Sequence, residues 1–571
     1  MTAAAVPSPF STDHLKQGMG ARTVRGGFLT LGSQLARLVI QMGSTVVLGR
    51  LLFPADFGLV AMVATVTGFA MLFRDLGLSA ATIQRDQITH EDVNTLFWIN
   101  VGVGLVLTLA LAAASPLVAW VYSEPALVPI TAACAITMLF GAAAAQHTAL
   151  LRRQMKFRSL AKIEVAGAMV GAAAAITLAF LGAGVWALVA MTVLQPFTIM
   201  VGSWLASPWR PGAPPRRRAG AGEGARSMVG FGAYLTGFNT LNYITRNFDN
   251  VAIGAALGSA ALGIYSKAYG LLLLPIRQIN GPIASVALPV LSRLQSEPDR
   301  FRAYYAKGIE IVAFLTMPIV GLAFVEADRL ALLLLGPQWG QVADVFRWLA
   351  PGAIVSSLNV VPGWLYSALG RTKLMWRWGL WAAPISAAAY LAGLPWGITG
   401  VAAAFSVSYT ALFIAQIPFA CRGTCVPASL VFARLWRPVA AMLIAIGLTF
   451  GCMQLLPLED LSLLGDRAAR FGVPLFGYPI VIALVATAAT IFTLAYFGAL
   501  AVLPGGRSLL ASVADAVRSA YKKRASKGKP SNVQEHSPGN DPGNPVPEAP
   551  VREAPVRGAP VSGASAANDP G

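Results

Sequence analysis

Charge is scarce in this chain. Asp, Glu, Lys and Arg make up only 12% of its 571 residues, about half the share found in water-soluble globular proteins. A single core wrapped in a solvated surface is therefore excluded. Histidine is rarer still: His14, His90, His147 and His536 lie far apart and lack metal-ligand spacing, so no histidine-based metal centre or catalytic arrangement is expected. The four cysteines, Cys134, Cys421, Cys425 and Cys452, include a lone C-x3-C without a second ligand pair. Neither a disulfide framework nor a zinc site follows from them. Acidic residues number 25 against 43 basic ones, for a net charge of +18. The basic residues sit in short runs beside apolar segments, which points to loops held against anionic lipid and away from nucleic acid. Residues 1–25 hold no apolar core before a small-residue cleavage site, so a removed signal peptide is not expected.

What the chain has is apolar length. Hydrophobic residues form 56% of it, and the mean hydropathy is +0.62. Fourteen stretches are about long enough to cross a bilayer: 26–48, 58–76, 93–121, 127–151, 160–181, 185–206, 228–257, 262–291, 309–325, 342–369, 374–394, 398–420, 438–456 and 479–503. Basic residues collect in alternate connections, among them Arg152, Arg153, Lys156 and Arg158, then Arg216, Arg217 and Arg218, and later Arg371, Lys373 and Arg377. The positive-inside rule then predicts a multi-pass protein with both termini cytoplasmic. Arg50, Arg329, Arg467 and Arg470 fall on the other side. The expected fold class is an all-α polytopic membrane protein of about 14 transmembrane helices.

A repeat subdivides those spans. Gly49, Leu52, Ala55, Phe57 and Gly58 recur as Gly254, Leu257, Ala260, Leu262 and Gly263, a G-x-x-L-x-x-A-x-[FL]-G skeleton displaced by 205 positions. At the same offset Gln34, Arg37, Gln41 and Ser44 align with Asn239, Asn242, Arg246 and Asp249. Spacings of three, four and three place each set on one helix face. Farther on, Leu151 and Arg153 match Leu369 and Arg371, and Gly184-Val185 matches Gly400-Val401. An even number of spans per copy gives two six-helix bundles in parallel, related by an axis along the membrane normal. The expected organisation is a cytoplasmic segment (1–25), an N-lobe (26–206), a solvated Pro/Gly/Arg linker (207–227), a C-lobe (228–420), a two-helix appendage (421–503) and a cytoplasmic tail (504–571). That tail carries PVPEA, PVREA, PVRGA and PVSGA in tandem and is expected to be disordered from about residue 525.

Charges inside spans mark candidate sites, since each costs at least about 2.5 kcal/mol at mid-bilayer unless it meets a partner or water. Arg37 has no acidic neighbour in its own helix and is expected to face water or an anionic ligand, or else carbonyls of a neighbouring span. Arg246 and Asp249, three apart, either neutralise each other or make Asp249 a coupling-ion or proton site beside a cationic wall. Arg277 follows Pro275, and Pro275 and Pro282 are expected to kink their helix. Arg74-Asp75 and Lys162-Glu164 are read as mutually paired or snorkelling at span ends.

The run LGRLLFPADFGLVAMVATVTGFAMLFRDLGLSAATIQR, from Leu48 to Arg85, resembles the signature of bacterial Wzx-type polysaccharide exporters in the multidrug/oligosaccharidyl-lipid/polysaccharide superfamily. The blocks from Arg246 to Gln295 and from Leu332 to Trp339 are similar to that family too. The resemblance implies a flippase, not an enzyme, in the bacterial cytoplasmic (inner) membrane. It would carry undecaprenyl-pyrophosphate-linked oligosaccharide to the periplasmic leaflet, with no cofactor and with either protons or sodium driving the step. Its implied partners are that lipid-linked substrate, the bilayer and other polysaccharide-assembly proteins. A cationic passage lined by Gln34, Arg37, Gln41, Arg50, Asn242, Arg246 and Arg277, with Asp249 as coupling-ion candidate, fits a diphosphate head group. Ala255 stands where the second repeat would match Arg50, so paired cations at that level are not expected. A cation-coupled drug exporter of the same superfamily is disfavoured by the excess of basic groups, and a membrane glycosyltransferase or polymerase by the shortness of the external loops.

Overall fold

The structure, a computed structural model, describes residues 10, 19–74, 78–85, 88–214, 222–455, 474–508 and 510–511. Among the described residues there is no strand. Helices α1 (Met19–Leu51), α2 (Pro54–Arg74), α3 (Leu78–Gln84), α4 (His90–Ala113), α5 (Ser115–Tyr122), α6 (Leu127–Arg153), α7 (Phe157–Phe180) and α8 (Val185–Ala206) build the first repeat. The second contains α9 (Gly222–Arg293), α10 (Pro298–Val325), α11 (Ala327–Leu334), α12 (Gly340–Leu358), α13 (Val360–Ala368), α14 (Thr372–Gly393) and α15 (Gly397–Cys421). Two more follow, α16 (Ala428–Leu455) and α17 (Pro474–Val502). Local chemistry sets the boundaries. At the start of α4, Thr89 Oγ1 accepts from the Asp92 N–H at 3.1 Å while Asp92 Oδ2 accepts from the Thr89 N–H at 3.0 Å, a reciprocal cap that satisfies two otherwise orphaned donors.

Among the described residues, ten helical stretches have the length and composition to cross a membrane, and the protein is a multi-pass membrane protein. Two of the ten are double crossings. Tyr243–Arg293 is interrupted at Gly258, and Thr372–Cys421 holds α14 and α15 on either side of the 3-10 turn Leu394–Trp396. The 33-residue α1 has the length but carries a polar face, and α12 and α13 share one crossing broken at Asn359. Together these account for the fourteen spans read from the sequence. At Gly258, φ is +84°, a conformation that L side chains avoid. The helix continues through Pro275, Pro282 and Pro289 with helical backbone, so the break falls at the glycine and not at the prolines that the sequence singles out.

Packing repeats with the sequence. Helix α1 packs on α7 as α9 packs on α14, α6 on α8 as α12 on α15, and α7 on α8 as α14 on α15. The repeats meet through their own motif copies, where α2 crosses the second part of α9. A methyl group on Gly58 would collide with the Ser259 carbonyl, and one on Gly263 with the Pro54 carbonyl. These two contacts are the same contact, each residue displaced by 205, so the pseudo-twofold axis runs between them. Around it, Gly49 lies against Leu335 and Gly254 against Tyr122. Trp339 Nε1 and Gln338 Nε2 both donate to the Gly49 carbonyl, at 2.7 and 2.6 Å, and Ser259 Oγ donates to Glu124 Oε1 at 3.0 Å. This end of the bundle, remote from the Arg-rich connections, is sealed. Replacing Gly58 by valine puts new methyl groups into backbone, which cannot move aside. The expected loss is about 1–3 kcal/mol or more, read as a lower thermal midpoint in detergent, and an unchanged midpoint would show that the crossing is not tight.

Below the seal the two sides of the axis differ. On one side Tyr243 of α9 donates its hydroxyl to the Thr65 carbonyl of α2 at 2.9 Å, pinning the lobes. The position related to Tyr243 by the repeat is Leu38, where cavities separate α1 from the second part of α9. Glu310 of α10 and Arg434 of α16, at 2.7 Å, tie the appendage to the second lobe.

The described start of the inter-lobe connection is not solvated. Trp209 is buried against Phe97 and His147 and donates to His90 Nδ1 at 3.1 Å, while Asn94 and Trp98 hold the Gly212 backbone. Its indole, flanked by prolines and arginines, docks residues 207–214 on the first lobe. The connection 456–473 and the residues from 512 onward lie outside the described residues.

Candidate functional site

The polar face of α1 has a purpose in the fold. Gln34, Arg37, Gln41 and Ser44 line a cavity of about 510 Å³ between the lobes, faced by Lys267 and Gln278 of α9 and Gln195 of α8. Lys267 Nζ sits 3.8 Å above the centre of the Phe57 ring, a cation–π contact just under the seal. Arg37 has an acidic partner on another helix: its Nη2 lies 3.4 Å from Glu164 Oε2 of α7, both side chains half-buried. That pairing replaces the Lys162–Glu164 pair expected from the sequence. Arg37 Nε is buried without a hydrogen-bond partner, so the guanidinium retains donor capacity. Lys267 is the residue that the sequence reading missed. The criterion that singles out Arg37, a lone cation deep in an apolar span, picks it out equally.

Arg37 and Gln195 also border a second cavity, about 560 Å³, enclosed by α1, α6, α7 and α8. Arg74, Arg152 and Glu164 line it as well. Arg74 lies over Gly141 of α6, which leaves room for it by having no side chain; Asp75, its expected partner, is outside the described residues.

Arg246 is in neither of these cavities. It lines a third, about 330 Å³, among the first part of α9, α12, α13, α14 and α15, with Tyr409 lining the same wall. Asp249 makes its contacts with groups other than Arg246. It is 3% exposed, with Oδ2 accepting from the Tyr265 hydroxyl at 2.8 Å and Oδ1 from the Asn250 N–H at 2.8 Å. Of the two readings open for this pair, mutual neutralisation gives way to a phenol and a backbone amide. Arg277 is exposed on α9. Arg50 sits at the sealed end, donating to the Leu333 carbonyl at 2.7 Å across the lobe boundary, so it binds the seal and not the Arg37 cavity. The side chain of Asn242 lies outside the described residues.

A fourth cavity, about 560 Å³, is apolar. Leu271, Leu274, Ile319, Leu330 and Phe346 line it, and it shares Leu38 and Gln278 with the Arg37 cavity. Head-to-tail, the two make a polar cationic chamber opening beside a greasy groove. Among the described residues no group of three or more His, Cys, Asp or Glu is placed to hold a metal.

Comparison with known proteins gives the lineage. The lipopolysaccharide biosynthesis protein WzxC of Escherichia coli (strain K12) is 25% identical over 341 residues, covering 58% of this chain and 67% of that protein. The teichuronic acid biosynthesis protein TuaB of Bacillus subtilis (strain 168) is 29% identical over 349 residues, covering 61% and 71%. In fold, the chain is similar to the lipid II flippase MurJ in an inward closed conformation, with a TM-score of 0.59, 12% identity and coverage of 83% of this chain and 99% of that one. The family model for polysaccharide biosynthesis proteins matches residues 47–344, which include the seal, both motif copies and Lys267. The chain belongs to this polysaccharide biosynthesis protein family, the Wzx-type exporters of the multidrug/oligosaccharidyl-lipid/polysaccharide superfamily.

Proposed function

We propose that the protein flips an undecaprenyl-pyrophosphate-linked oligosaccharide from the cytoplasmic to the periplasmic leaflet of a bacterial inner membrane, for assembly of a surface polysaccharide. The observation that carries this reading is the wall common to two cavities: Leu38 and Gln278 border both the chamber holding Arg37 and Lys267 and the apolar groove. A ligand fitting both has an anionic head and a hydrocarbon tail. The cations attract the diphosphate in a chamber of reduced dielectric, while the isoprenoid chain stays among Leu and Ile side chains or in lipid. The gap between α1 and the second part of α9, opposite the Tyr243 pin, is the side from which such a molecule enters.

The sealed end carries few basic connections and is assigned to the periplasm, with both termini cytoplasmic. Transport then requires the motif crossing to part while the Arg-rich end closes, an exchange between two packings of the same lobes. Asp249, buried with its carboxylate held by Tyr265 and the Asn250 amide, is the residue assigned to proton or sodium coupling, since an ionisable side chain inside a span marks an ion path or proton relay.

The test is deletion in the host. Lipid-linked oligosaccharide is expected to accumulate in the membrane, shielded in intact spheroplasts from a non-permeant periodate label, with surface polymer lost. Polymer loss without accumulation, or with the glycan accessible from outside, overturns the proposal.

A further inference from the structure

The repeat puts one cavity inside each lobe at the same address. In the first lobe it lies among α1, α6, α7 and α8, and in the second among the counterparts in the same order, the first part of α9, α12–α13, α14 and α15. The walls have diverged. The first-lobe cavity is lined by Arg37, Arg74 and Arg152 with Glu164, and among the described residues none of its lining side chains is aromatic. The second-lobe cavity has Arg246 as the one charged group among the described residues lining it, and five rings, Tyr366, Trp376, Trp378, Tyr409 and Phe413. From this divergence we infer that the second-lobe cavity is a carbohydrate subsite, holding sugar units of the substrate while the first lobe and the inter-lobe chamber hold its phosphates. The inference rests on the flippase reading above and assigns a lobe to each end of the polar head.

The chemistry separates the two walls. A sugar ring presents apolar C–H faces and a rim of hydroxyls, so it needs flat hydrocarbon against its faces and neutral donors and acceptors in its plane. The second-lobe cavity supplies indoles and phenyl faces together with the amides of Asn359 and Gln416. Tyr366 is 1% exposed, and its buried hydroxyl finds no well-formed hydrogen bond within the protein, with Gln416 its near neighbour. A buried polar atom left in this state is stabilised by a ligand that completes it. A diphosphate would meet three arginines against one glutamate in the first lobe and a single arginine here. A hydrocarbon tail would strand the amides and the phenol. The volume, about 330 Å³, is in the range of small-ligand sites, and the cavity reaches the start of α14, where Met375 and Trp376 line it. That is the Arg-rich end, on which the substrate arrives.

The experiment uses the full chain in a host making its own lipid-linked glycan. Benzoylphenylalanine is placed at Trp378 or Phe413, and for comparison at Thr148 in the first-lobe cavity. After irradiation and mild acid, which splits sugar from pyrophosphate, peptides are read by mass spectrometry. Sugar-bearing adducts at residue 378 or 413 are expected to exceed those at 148 by about tenfold, the size of a lost aromatic anchor. W378A is expected to lower polymer output by a similar factor at unchanged membrane abundance, and W378F to retain most of it. Equal or greater sugar capture at 148, or none at 378 and 413 while Arg37→Ala still abolishes export, overturns the lobe assignment and leaves the flippase reading standing. No glycan adduct at any position, with export intact in Arg37→Ala, overturns both.

Discussion

Replacing Arg37 by alanine is expected to abolish surface polysaccharide while the protein still inserts at normal abundance. The side chain stands where two cavities join, 3.4 Å from Glu164 and half-exposed to the chamber, so its loss removes a cation from the passage without opening a packed core. A hydrogen bond to a charged group is worth about 1.5–3 kcal/mol, so affinity for an anionic head falls by roughly tenfold to a hundredfold. Two companions separate transport from architecture. Arg37→Lys keeps the charge but loses the bidentate fork and should export partially. Glu164→Gln removes the ion-pair partner and, with Arg37 still cationic, should export near normally. If Glu164→Gln fails as completely as Arg37→Ala, the pair is structural and the arginine leaves the mechanism. Arg246→Ala is expected to fail too. Polymer levels with blot-quantified membrane protein decide each case, and normal polymer from both alanine variants removes these arginines from transport.

The sequence carried the crossings and the symmetry because both are written in local chemistry. Bilayer thickness sets helix length, and the G-x-x-L-x-x-A-x-[FL]-G copies appear twice because the axis needs two close approaches, at Gly58 and at Gly263. The face of α1 was equally legible, since spacings of three and four fix which side chains share a side. Partners between helices were not. Glu164 meets Arg37 from 127 positions away, and Asp249 chose Tyr265 sixteen residues on, across the Gly258 turn, over the Arg246 beside it. Pairings of that kind depend on how helices rotate against each other, and apolar periodicity in a bilayer leaves rotation open because lipid and protein interior are alike. Trp209 shows the same limit from the other direction. One indole docks a Pro/Arg-rich connection whose composition alone reads as solvated.

A disulfide between Gly49→Cys and Leu335→Cys should stop export when formed and restore it when reduced. An ideal Cβ on Gly49 lies 3.4 Å from the Leu335 Cα, the close backbone approach that a disulfide needs. The bond would join α1 to the segment after α11 across the two lobes, at the end closed by the Gly58–Ser259 and Gly263–Pro54 contacts. None of the four native cysteines, Cys134, Cys421, Cys425 or Cys452, lies beside either position in sequence, and their replacement by serine keeps the readout clean. If alternating access requires this crossing to part, one covalent tie is enough, because the closed form cannot then yield to its counterpart. The oxidised variant should hold lipid-linked glycan on the cytoplasmic side, and dithiothreitol should release it within the lifetime of the cells. A periplasmic location of the seal adds a sign to the experiment: that compartment is oxidising, so the bond should form without added oxidant. Full export from a chain shown by non-reducing gel to be cross-linked would mean that the seal never opens, and that the substrate crosses by a route that leaves the motif pair in contact.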